Sequence, residues 1–144
     1  MTLRPGDPAV AVWRGYLRFE RAAALSLEAD LQRERGMSLD DYDVLYQLNV
    51  ADAPMRMSDL AAAALIARSS CTRVVDRLVG RAWVERGTAD ADRRSVVVAL
   101  TGEGRATLRR AAVTHLRGID TVFARRLGRD DIAALAGILD RLER

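Results

Sequence analysis

Between Ser69 and Gly80, hydroxyl and guanidinium side chains recur at the spacing of one helical face. At about 100° per residue, Cys71, Val74, Val75 and Leu78 gather on one arc. Ser69, Thr72, Arg73, Asp76 and Arg77 gather on the opposite arc, with Ser70 on its flank. The apolar arc suits anchorage to a core. Arg73 carries a planar fork of N–H donors that matches two adjacent acceptors, such as N7 and O6 of guanine. Ser69, Ser70 and Thr72 offer shorter groups suited to phosphates or to either base type. Arg77, one turn later, is better placed for a phosphate, and the N–H groups at the helix start add an anion-attracting end. An ordinary solvated helix also carries such a face, so this segment alone leaves both interpretations open.

The next segment shifts the balance. From Thr88 to Ser95 the chain holds Asp90, Asp92, Arg93 and Arg94 between two β-rich runs, Trp83 to Arg86 and Ser95 to Leu100. A charged stretch between short strands predicts a hairpin with a long tip. Arginine at such a tip fits a narrow minor groove, where the negative potential of a duplex is strongest. The acids are expected to cap the turn or pair with the arginines; the alternative is a loop whose arginines only keep it soluble. No rival chemistry competes. The chain has one His and one Cys, and no paired carboxylates or nucleophile with a base at meaningful spacing, so neither an enzyme nor a bound cofactor or metal is expected. Cys71, central in the apolar arc, is expected to pack as a small hydrophobe, with redox sensing the less favoured alternative.

These residues need elements to hold them. Val10, Trp13, Leu17, Ala24, Leu27 and Leu31 fall at steps of three, four or seven, which predicts a long helix closed by Arg35-Gly36. Ser38 with Asp40 and Asp41 predicts the capped start of a second helix, ending before Asp52-Ala53-Pro54. Ser58 to Leu65 predicts a short third helix, capped by Ser58, and Ser69 to Gly80 a fourth. After the hairpin, Leu108, Ala112, Leu116, Ile119, Phe123 and Leu127 line another long helix, and Arg129-Asp130-Asp131 opens a last one. The fold class expected is mainly α with a small β-hairpin, a winged helix-turn-helix flanked by terminal helices. The divisions are 1–37 (N-terminal dimerisation helix), 38–104 (DNA-binding domain) and 105–144 (C-terminal dimerisation helices).

Composition agrees. With 144 residues, 49% apolar and 30% charged, the chain can bury a core and is not of disordered type. The net charge is only +3, so the 23 basic residues, all Arg, matter by position rather than by sum. No apolar run approaches the ~20 residues of a membrane span, and no leader is evident, so a cytoplasmic location with no membrane partner is expected.

From Leu39 to Gly104 the chain resembles the MarR family of bacterial regulators. The matching residues are Ser58-Asp59-Leu60-Ala61, Thr72-Arg73-Val74-Val75-Asp76-Arg77-Leu78, Trp83-Val84-Glu85-Arg86, Asp92-Arg93-Arg94 and Val98-Ala99-Leu100-Thr101-Gly102-Glu103-Gly104. Their joint order and spacing is specific where each alone is weak. The resemblance implies a homodimer joined through its terminal helices, gripping a palindromic site on double-stranded DNA. Recognition helices enter successive major grooves, and the wing arginine matching Arg94 reaches DNA with Arg93 assisting. It also implies a repressor often acting near its own promoter, and effectors that are small aromatic acids or phenols. Trp13, Tyr16 and Tyr42 are the aromatics noted for such a ligand, with Arg14 or Arg18 for its charge; they are core aromatics by default. One departure stands out: Ala82 occupies a position where the family usually has Gly, and a positive φ there would cost about 1 kcal/mol.

The apolar faces of the terminal helices exceed what so small a middle domain can cover, which predicts pairing with a second copy; a monomer folding them onto its own core is the alternative. A winged-helix module that binds a protein instead of DNA remains the rival from another class, although hydroxyls and arginines suit a hydrophobic docking face poorly.

Overall fold

A computed structural model describes residues 2–89 and 92–144, with all their side chains except those of Asp92 and Arg93. The element order is α1 (Pro8–Arg35), α2 (Leu39–Ala51), β1 (Met55–Arg56), α3 (Met57–Ala63), α4 (Arg68–Gly80), β2 (Val84–Ala89), β3 (Asp92–Leu100), α5 (Gly102–Val122), a 3-10 turn (Ala124–Arg126) and α6 (Arg129–Leu142). The chain divides into two compact units, one of residues 31–114 and one of residues 1–30 with 115–144. No helix among the described residues is long and apolar enough to cross a membrane.

The unit of residues 31–114 contains every buried apolar side chain of the described chain. Its centre is Leu31, Leu45, Leu48, Leu60, Val75 and Leu78, each at most 1% exposed. Burial of one such side chain stabilises by about 1.5–3 kcal/mol. The four residues of the apolar arc, Cys71, Val74, Val75 and Leu78, all lie in this core. The angular pattern therefore orients α4 as expected.

Local chemistry sets most element ends. Ser38 caps α2: its hydroxyl accepts from the Asp41 N–H at 2.9 Å, and the Asp41 carboxylate accepts from the Ser38 N–H at 3.0 Å. The expected Ser58 cap on α3 is not used. The helix begins one residue earlier at Met57, after Arg56, without a side-chain cap bond. The reason is a third strand too short for periodicity to reveal. Met55 pairs with Val98 and Arg56 with Val97, so the sheet holds Arg56 extended and fixes where the helix starts. The sheet is antiparallel in the order β1-β3-β2. It runs further than the expected short strands. The β2–β3 ladder continues through Thr88 and Val96, then shifts register and pairs Ala89 with Asp92. Arg94 thus sits on a strand, not in a loop.

Both helices of the helix-turn-helix end in the same way. After α3, the Leu65 N–H donates to Ala62 O at 3.2 Å and the Ile66 N–H to Ala61 O at 3.1 Å. After α4, the Ala82 N–H donates to Val79 O at 3.0 Å and the Trp83 N–H to Leu78 O at 3.0 Å. This is the Schellman closure, which places one residue in the left-handed region, usually Gly. Here those residues are Leu65 at φ +57° and Ala82 at φ +60°. The departure noted at Ala82 is therefore a strained alanine in an otherwise ordinary turn. Beyond it, Thr101 joins sheet to helix: its hydroxyl donates to Ala82 O at 2.7 Å and accepts from the Gly104 N–H at 3.0 Å. A side chain at Gly104 would overlap the Trp83 carbonyl, so α5 can start here only on glycine.

The unit built from both termini has no buried apolar side chain among its described residues. Phe19 packs on Phe123 with ring centroids 6.1 Å apart, and Trp13 on Tyr16 at 5.7 Å. Trp13, Tyr16 and Leu17 on α1, and Ile132, Leu139 and Leu142 on α6, remain exposed. The apolar line expected to continue through Phe123 to Leu127 is interrupted, because α5 stops at Val122 and gives way to the 3-10 turn.

Candidate nucleic-acid interface

The helix α4 turns its polar arc to solvent. Ser69, Thr72, Arg73 and Asp76 are exposed and Ser70 is half-buried on the flank. Arg73 makes no hydrogen bond or ion pair to another described residue, so its fork is available to an external acceptor pair. The Thr72 hydroxyl donates back to Arg68 O at 3.1 Å. Its proton is thereby engaged, and what it offers outward is a lone pair and a methyl, a better match to a thymine methyl than to a phosphate.

Arg77 is placed differently from the expectation. Its Nε and one terminal nitrogen both donate to Asp41 Oδ1, at 3.0 and 2.5 Å. Asp41 is buried, with its side chain only 3% exposed, and Arg77 supplies its counter-charge. A carboxylate held out of water requires such pairing, and this demand ties Arg77 to α2 while its side chain stays 45% exposed at the edge of the outward arc. The pairing spans distant parts of the sequence and leaves no local signature there.

Two further contacts escaped the sequence. Asp76 forms an ion pair with Arg86 on β2, which neutralises the one acid on the outward arc and ties α4 to the wing. The guanidinium of Arg81 lies 4.6 Å from the Trp83 ring centroid, and its Nη1 donates to Gly36 O at 2.7 Å. These bonds fix the C-terminal half of α4 to β2 and to the turn at Gly36.

On the wing, Arg94 is exposed on β3, and the Arg93 side chain lies outside the described ones. Arg94 lines a cavity of about 320 Å³ together with Arg56, Ser58 and Arg68. A second cavity, of about 300 Å³, is bounded by Glu34, Arg35, Trp83, Glu103, Thr107 and Arg110.

Burial moves Cys71, His115 and Asp43 toward their neutral forms. Burial pushes the Cys71 thiol up, which makes the reactive thiolate scarce at neutral pH. Burial pushes the His115 imidazole down, away from the charged form. Asp43 on α2 is raised to about 6, chiefly by burial and then by the neighbouring Asp40 carboxylate. Tyr42 is buried against the core, whereas Trp13 and Tyr16 are exposed on α1.

Comparison with known proteins places this arrangement. A family model described as MarR family matches residues 35–95. Over 110 residues, 75% of this chain, the sequence is 29% identical to the HTH-type transcriptional regulator PecS of Dickeya dadantii (strain 3937); the match spans 66% of that protein. The crystal structure of AbsC, a MarR family transcriptional regulator from Streptomyces coelicolor, is 30% identical, with a TM-score of 0.87 over 99% of this chain and 96% of AbsC. Sco3205, a MarR family regulator from the same organism solved in complex with DNA, is also 30% identical, with a TM-score of 0.86 over 99% of this chain and 89% of its own. Likeness at this level, sustained over nearly the full length of both chains, means that the protein belongs to the MarR family of transcriptional regulators.

Proposed function

We propose that this regulator is a homodimeric repressor that binds a pseudo-palindromic site on double-stranded DNA. The observation that carries the proposal is the exposed arc of α4, where Arg73 has no partner among the described residues while the opposite arc is locked in the core. Ser69, Ser70, Thr72 and Arg73 face base edges in the major groove, and Arg94, with Arg93 beside it, takes the wing to the adjacent backbone and minor groove. Arg77 acts indirectly, by holding α4 on Asp41. The similarity to Sco3205, solved with DNA, supports the same use of the fold.

Dimerisation is proposed through residues 1–37 and 105–144, around a DNA-binding domain of residues 38–104. The support is the terminal unit itself. It exposes Trp13, Tyr16, Leu17, Ile132, Leu139 and Leu142 and buries no apolar side chain among its described residues, which a second copy would remedy. Two copies related by a twofold axis present two α4 helices, which fit half-sites about 34 Å apart. A small aromatic acid or phenol is the effector class proposed; the cavity with Trp83 offers Arg35 and Arg110 beside two carboxylates, Glu34 and Glu103, a balance that suits a phenol better than an acid.

Selection of bound sequences from random duplexes tests the proposal. Enrichment of inverted repeats with half-sites about one helical turn apart is expected. Recovery of no enriched sequence by a folded dimer would overturn it. Salt-insensitive capture of a protein partner would favour the rival interaction module instead.

A further inference from the structure

The cavity of about 320 Å³ beside α4 collects three guanidinium groups from three elements: Arg56 from β1, Arg68 from the first position of α4 and Arg94 from β3. The hydroxyls of Ser58 and Ser95 complete its polar lining, and no described carboxylate contributes to that lining. The backbone that carries these residues belongs to the sheet and to the starts of α3 and α4. Arg56 pairs with Val97 across the β1–β3 ladder, so it lies on the strand next to the one that carries Arg94. Arg68 is fixed by the first turn of α4, where its carbonyl accepts the Thr72 hydroxyl.

The side chains of Arg56 and Arg68 make no hydrogen bond or ion pair to another described residue, so an anion seated beside them would supply their counter-charge. Guanidinium forks and hydroxyls together match the oxygens of a phosphate group. Position selects the source. Arg68 adjoins Ser69, the first residue of the outward arc, and the cavity opens to solvent through exposed Arg56, Ser58 and Arg94.

We propose that this cavity seats a backbone phosphodiester of the duplex engaged by α4, with Arg56 and Arg68 as phosphate-contacting residues and Ser58 as a hydroxyl donor. The proposal rests on the DNA-binding function above. It adds a contact that fixes the register of α4 in the groove and carries no sequence information of its own.

The test is the salt dependence of binding, measured by fluorescence anisotropy with the intact protein on its selected duplex and on an unrelated duplex. Arg56→Gln and Arg68→Gln should each flatten the slope of log K against log salt by about 0.9, the value for one phosphate neutralised. Both duplexes should weaken by the same factor, so that their affinity ratio is unchanged. Arg109→Gln, an exposed position on α5 that does not line the cavity, should leave the slope unaltered. Wild-type slopes in both cavity variants, with melting temperatures unchanged, would overturn the phosphate seat while leaving DNA binding intact. Failure of the wild type to bind any duplex would instead overturn the DNA-binding function. Inorganic phosphate is the second probe. A phosphate-dependent rise in wild-type melting temperature that both variants lose supports an anion seat in this cavity, and in the absence of duplex binding it would assign the seat to a free phosphate and overturn the phosphodiester.

Discussion

The Arg77 guanidinium closes on the buried Asp41 carboxylate across 36 positions of sequence, through two donors to one oxygen at 3.0 and 2.5 Å. The other oxygen of Asp41 accepts from the Ser38 backbone, so one carboxylate caps α2 and anchors α4 at once. Neighbouring arginines on the same helix arc therefore do different work. Arg77→Ala should destabilise the fold by about 2–3 kcal/mol, the scale of hydrogen bonds to a charged group left behind in a buried site. Arg73→Ala, at an exposed position without bonds to another described residue, should change stability by less than about 0.5 kcal/mol. Urea unfolding of the two variants measures the contrast. Equal destabilisation would contradict the division of roles.

Strain at the two left-handed turns is open to relief. Ala82→Gly should stabilise by about 1 kcal/mol, since a Cβ at positive φ is destabilising and glycine removes it. Leu65→Gly should gain at least as much, because Leu65 is 91% exposed and loses little packing. Denaturant midpoints that fall in both variants would show that the left-handed conformations are not strained.

Much of this architecture was legible in the sequence, because burial leaves a periodic trace. Cys71, Val74, Val75 and Leu78 define the inner arc of α4 by spacing alone, and the structure places all four in the core. The Ser38 cap and the helix–helix–hairpin order followed from equally local rules. What stayed hidden depends on distant pairing. The strand Met55–Arg56 is two residues long and exists through its partner β3, and its presence moves the start of α3 away from Ser58. The ion pairs of Arg77 with Asp41 and of Arg86 with Asp76 have no local pattern, so the tie of the half-exposed Arg77 to α2 was not legible. The wing strands extend past their β-rich cores because ladder bonds recruit polar residues such as Thr88.

Asp43 makes stability depend on pH in an uncommon sense. Its folded-state pKa of about 6 lies above the ordinary carboxylate value, so the folded form holds a proton that the unfolded form releases. The resulting stabilisation is complete below about pH 4 and is lost as pH rises through about 6. Asp43→Asn abolishes this dependence. The variant should be more stable than wild type at pH 7, with the gap narrowing toward pH 4. Melting temperatures across this range are the measurement, and a gap independent of pH would contradict the assignment.

The terminal helices should hold the dimer. Wild-type protein at micromolar concentration should sediment at twice the chain mass, and Leu139→Asp, on an exposed apolar face of α6, should shift it to the monomer. The helix–hairpin unit keeps its own core and should retain its helical signal in that variant. A monomeric wild type would contradict the proposed interface.

The most direct test of base reading couples Arg73 to a guanine. Within the selected duplex, the G·C pairs of one half-site are changed one at a time, and affinity is measured for wild type and Arg73→Ala. One change should cost the wild type about 1–3 kcal/mol and the variant almost nothing, since the bidentate contact is already gone. A variant that discriminates at every position as sharply as wild type would show that α4 does not read sequence through Arg73.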